Sequence, residues 1–179
     1  MMTPLTESLA NLADARTALR TAIDAVSDDQ RGRRPAEDRW SVSEILEHLS
    51  LVERRFAAII ALRISEAREA GLGAEQSPRE PLPPNLQQML NDRANRRNAP
   101  EAVHPSGTID ATAAWIELER IRGELRATVE AADGLALSGV RHNHPVFGTL
   151  NIYQLMDFIA GHEMRHARQI TGIAEALTR

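Results

Sequence analysis

Two histidines four residues apart, in His162-Glu163-Met164-Arg165-His166, are the residues of this chain whose type and spacing most directly imply chemistry. On a helix they share one face, about 5–6 Å apart at Cβ, so both imidazoles can reach one metal ion. The literal pattern is that of a zinc peptidase, in which the glutamate polarises a water. The rest of the sequence does not complete such a site. A third histidine six residues beyond His166 would fall at Gly172, and the glycine expected three residues beyond it is Gln169. Only thirteen residues follow His166, too few for a distant third glutamate. A di-iron carboxylate bundle fails in the same way, because it needs a second Glu-x-x-His beside Glu163-x-x-His166, and Ile45 stands three residues before His48. What remains is a third imidazole from another helix. Among the other four histidines, His48 alone sits in a clearly helical segment, on the flank of its inward stripe. Three histidine ligands leave coordination positions open, the arrangement of a catalytic and not of a closed structural site.

Composition narrows the chemistry further. The chain has no cysteine, so there is no disulfide, thiolate nucleophile or cysteine-based zinc site, and any metal must rest on His, Asp or Glu. All 21 basic residues are arginines, which excludes a lysine Schiff base and pyridoxal chemistry. A net charge of −4, with arginines interspersed among acids, argues against nucleic-acid binding. The arginines of residues 31–34 and 93–97 read as solvated surface. No apolar run approaches the ~20 residues of a membrane span, and no basic stretch followed by an apolar core opens the sequence, so a cytoplasmic protein is expected.

The elements that must position these residues are helices. At 179 residues the chain fits a single domain, residues 1–179. Thr3 and Pro4 begin an amphipathic helix that runs to about Val26, with Leu5, Leu9, Leu12, Leu19 and Ile23 as its stripe. Ser41-Val42-Ser43-Glu44 reads as a capping box, and the helix it starts continues to about Ala70, with Ile45, Leu49, Val52, Phe56, Ile59 and Ile60 facing inward. Residues 71–108 are rich in proline, and within them only residues 86–97 have helical composition. Such a connection can cross the length of a bundle and lets the second and third long helices run parallel. The third spans about Asp110 to Ala132, with Trp115, Leu118, Ile121, Leu125 and Val129 inward, and Gly134 ends it. Residues 135–150 read as a loop. The last long helix starts at a second capping-box pattern, Asn151-x-x-Gln154, and both of its histidines face the core. An all-α bundle of four long helices follows.

Taken together, Trp40-Ser41 before Glu44-x-x-x-His48-Leu49, then His144-Pro145-x-Phe147-Gly148-x-Leu150, then His162-x-x-x-His166-x-x-Gln169-Ile170 resemble the DinB-like (DinB/YfiT) superfamily. The resemblance covers nearly the whole chain. It implies a four-helix bundle with up-down-down-up connectivity and a long crossover between helices 2 and 3. It also implies a divalent metal, Zn²⁺ or Ni²⁺, on His48, His162 and His166, and frequent homodimers. Relatives of this kind include thiol-dependent S-transferases, isomerases and metal-dependent hydrolases.

The resulting expectation is a metal-dependent transferase or hydrolase acting on small molecules. Without a cysteine of its own, thiol transfer would need a low-molecular-weight thiol as cosubstrate. In hydrolysis, Glu163 or Glu44 would serve as the base, although Glu163 in isolation reads as solvated and the capping box already accounts for Glu44. Gln169 and His144 are candidates for contacts to the ligand histidines or to substrate, and His104 and His142 read as surface residues. The rival class is a non-catalytic metal-binding or stress-related scaffold that pairs with a second copy.

Overall fold

The structure, a computed structural model, describes residues 2–92 and 98–177. Four long helices carry it: α1 (Pro4–Asp24), α2 (Val42–Glu69), α4 (Ala111–Glu130) and α5 (Ile152–Leu177). Their starts are set by side chains that satisfy otherwise unpaired amides. Thr3 accepts from the Thr6 amide at 3.2 Å, and Asp110 accepts from Ala113 at 2.8 Å. Ser41 and Glu44 form a reciprocal capping box on α2, and Asn151 and Gln154 form another on α5, with bonds of 2.9 and 3.0 Å. Gly71 (φ 78°) and Gly134 (φ 81°) take the left-handed conformation just past the ends of α2 and α4.

Contacts between the helices fix their directions. Ser50 and Arg68 of α2 reach the carbonyls of Ala114 and Ala131, at the start and just past the end of α4, so these two helices run parallel. Asn11 and Arg16 of α1 bond Asp157 and Glu163 of α5, which makes the first and last helices parallel as well. His48 lies against His162, while Phe56, two turns on, lies against Phe158, so α2 and α5 are antiparallel. The bundle is therefore up-down-down-up. The chain between α2 and α4 makes the crossover, carrying the short α3 (Pro84–Asn91) and a 3₁₀ turn at Glu101–Val103.

Three sequence expectations are corrected. Within residues 135–150, read above as loop, residues 141–144 (β1) and 148–151 (β2) form an antiparallel hairpin with His144 opposite Gly148. The short helix begins at Pro84, two residues early, and ends at Asn91; residues 93–97, including the second arginine patch, lie outside the described residues. Trp115 is only half-buried, with Arg16 and Arg20 over its ring, and Ala114 takes the inward place beside it.

The interior holds two apolar clusters. One gathers Ile45, Leu46, Leu49, Leu118 and Ile170; the other gathers Phe56, Ile60, Leu125, Leu155 and Phe158. Between them lies a layer of buried polar side chains that contains the candidate site. Among the described residues no helix is long and apolar enough to cross a membrane.

Candidate metal centre

α2 contributes His48 to this layer, and α5 contributes His162 and His166. Their Nε2 atoms converge: that of His162 lies 3.4 Å from His48 and 3.2 Å from His166, and all three lie within 4.8 Å of one another. Each outer histidine is oriented through its other nitrogen. His48 Nδ1 donates to the Val103 carbonyl at 2.7 Å, and His166 Nδ1 donates to Gln169 Oε1 at 2.8 Å. Donation from Nδ1 leaves Nε2 of a neutral imidazole with a lone pair and no proton. Two lone pairs therefore point at His162 Nε2, which can offer one proton at most. A cation at the centre satisfies all three nitrogens at once. The two spacings to His162 fit as well, because nitrogens about 2.0–2.1 Å from a tetrahedral zinc stand about 3.3–3.4 Å from each other.

Packing and electrostatics agree with this. Trp40 packs on His48 with ring centroids 4.9 Å apart, and Phe158 lies nearly parallel to His162 at 5.9 Å. Removal from water is the first cause holding all three imidazoles below the ordinary histidine range. Their mutual repulsion when protonated adds to this for His162 and His166, and His166 is pushed down to about 3. Near neutral pH the cluster is uncharged, the protonation state a metal requires.

The two candidate bases face elsewhere. Glu163 is not solvated; it is 2% exposed and receives Arg16 Nε at 2.5 Å and Arg122 Nη2 at 2.6 Å, one on each oxygen. Glu44 closes the capping box and is gripped by Arg34, whose Nε lies 2.9 Å from Oε2. Burial works against the Glu44 charge, but the bonds from Arg34 and Ser41 outweigh it and hold this carboxyl low. His48 is oriented by the Val103 carbonyl. Arg34, with Arg31 on Asp28 and the Val26 carbonyl, is thus engaged within the fold.

His144 stands two rings away from the cluster. Its ring stacks on Phe147 at 4.3 Å, Phe147 packs on Phe158 at 4.5 Å, and Phe158 stacks on His162. Its Nδ1 accepts from the amides of Val146 and Phe147 at 3.2 and 3.3 Å, which shapes the hairpin turn. His104 is exposed and lies edge-on to Trp40, while His142 is half-buried beside His144. Sequence reasoning missed Val103, whose main-chain acceptor leaves no mark in a sequence. It also missed Glu47, which takes the amides of Ser106 and Gly107 at 2.9 and 3.2 Å and pins the segment that follows Val103.

Residues 11–170 match the DinB superfamily. The chain belongs to that superfamily. The uncharacterized protein YuaE of Bacillus subtilis (strain 168) is 28% identical over 167 residues, covering 93% of this chain and 96% of that one. Among solved structures, the four-helix bundle protein TT2238 aligns over 93% of this chain and 97% of its own with a TM-score of 0.56. At 19% identity that likeness supports the four-helix-bundle fold alone.

Proposed function

We propose that the protein is a metal-dependent enzyme acting on small molecules, with Zn²⁺ or Ni²⁺ held by His48, His162 and His166. The observation that carries this reading is the convergence of three Nε2 atoms, two of them fixed as lone-pair donors by Val103 and Gln169. A divalent ion bound there supplies Lewis-acid chemistry, lowering the pKa of a water or thiol that occupies an open position. The chain's own residues hold the imidazoles neutral and aim them, with the Trp40 and Phe158 rings packed on His48 and His162.

Both candidate carboxylate bases are committed to arginines, so the nucleophile, an external thiol or a water, would depend on the metal for its ionisation. With no cysteine in the chain, the sulfur comes from a low-molecular-weight cosubstrate.

The test has two arms. Protein purified without added metal is expected to carry about one ion per chain by elemental analysis, and His162→Ala to carry almost none; stoichiometric metal in that variant overturns the three-histidine site. An activated electrophile mixed with a panel of thiols is expected to give conjugate only with metal-loaded protein. Equal turnover after metal stripping overturns the metal-dependent thiol-transfer reading.

A further inference from the structure

Beside the histidines, the same layer contains a closed ring of charge drawn from all four long helices. Arg122 of α4 donates to Glu53 of α2 through Nε at 2.5 Å and Nη2 at 3.1 Å, and to Glu163 of α5 through Nη2 at 2.6 Å. Arg16 of α1 meets the same two carboxylates, Glu163 at 2.5 Å and Glu53 at 3.2 Å. Two arginines and two glutamates thus alternate and balance, with Glu119 of α4 joining Arg16 at the more exposed rim. The remaining nitrogen of Arg122 donates to the Leu12 carbonyl of α1 at 2.9 Å. Burial pushes the Glu53 carboxyl up, and Arg122 and Arg16 pull against it.

We propose that Arg16, Glu53, Arg122 and Glu163 form a positioning ring that sets the height and rotation of α5 against α2, and thereby the spacing of the three imidazoles. The proposal rests on the metal-site reading above. Glu163 is the neighbour of His162, Glu53 follows His48 by five residues on α2, and Arg122 bridges them from α4, which like α1 carries no metal ligand. The apolar clusters on either side are non-directional and tolerate small slides. A slip of one residue moves a helix by about 1.5 Å, enough to spoil nitrogens that must meet within a few tenths of an ångström. Forked arginine–carboxylate bonds do not tolerate that slip. Replacing a buried ion pair with apolar groups of similar volume is often neutral or stabilising, so this ring is better explained by the geometry it imposes than by stability.

The test separates those two roles. A paired variant, Arg122→Met with Glu53→Leu, removes one charge of each sign and leaves Arg16 with Glu163. Its metal-free form is expected to melt at or above the wild-type temperature. Its zinc affinity, measured by chelator competition, is expected to fall roughly 10-fold or more, and the visible spectrum of bound Co²⁺ to change with the altered ligand geometry. Arg122→Lys keeps the charge but loses the fork, and is expected to fall between the two. Wild-type affinity together with an unchanged Co²⁺ spectrum in the paired variant overturns the proposal. If the paired variant does not fold, the same two readouts on Arg122→Lys decide it. Wild-type protein that binds no metal overturns the metal reading and the ring's role together, whereas variants that match a metal-binding wild type overturn the ring alone.

Discussion

At the scale of single residues, the centre is a set of neutral bases forced together. His48, His162 and His166 are all held below the ordinary histidine range, and unfolding returns each to about 6.5. Between that value and about 3, where His166 titrates in the fold, the unfolded chain binds more protons than the native one, so native stability falls as pH falls. The urea midpoint of metal-free protein is therefore expected to drop already between about pH 6.5 and 5, above the range where ordinary carboxylates titrate. A flat midpoint over that interval would contradict the burial described here. The imidazoles were legible in the sequence because an i, i+4 pair and a histidine flanking an apolar stripe are statements about helix phase. The fate of Glu163 was not, since a helical wheel gives an angle but not the partner found there. Its two arginines come from residues 147 and 41 positions away.

At the scale of elements, the segments that close the site are the ones the sequence concealed. The hairpin strands read Arg141-His142-Asn143-His144 and Gly148-Thr149-Leu150-Asn151, without the alternation of apolar and polar residues that marks a half-buried strand. Only Leu150 and Asn151 of the eight are buried. The starts of the four long helices, by contrast, were readable to within a residue, because side-chain caps are local chemistry. α3 seats on α5 through Gly161, where an added Cβ would lie 2.7 Å from Leu90 Cδ1. Arg165, one turn further on, donates to the Met89 carbonyl of α3 at 3.0 Å. Gly161→Ala would gain about 1 kcal/mol of helix propensity, and the atom in its way is the end of the Leu90 side chain, which must turn aside. A gain smaller than about 1 kcal/mol is expected in urea unfolding, because the displaced side chain offsets part of it. In a Leu90→Ala background the full gain is expected, since nothing then stands in the way. The same change in both backgrounds would rule out the close approach as a constraint.

At the scale of the whole molecule, the up-down-down-up path brings ligands from helices far apart in sequence to one point. A metal that binds only the folded state stabilises it by about 2.7 kcal/mol at a free concentration 100 times its Kd. Zinc is accordingly expected to raise the melting temperature of the wild type, a chelator to reverse the rise, and His162→Ala to show none. A similar rise in that variant would place the ion elsewhere. The parallel pairing of α1 with α5 also has a consequence in time. The first helix has its principal packing partner in the last, so the bundle cannot close around a partial chain. At roughly 5–20 residues per second of synthesis, the 114 positions between His48 and His162 correspond to roughly 6–23 s during which the first ligand exists without the others. Capture of a metal by all three imidazoles must therefore wait until His166 has been made, and until then the nascent chain offers one ligand of the site rather than a half-built chelate.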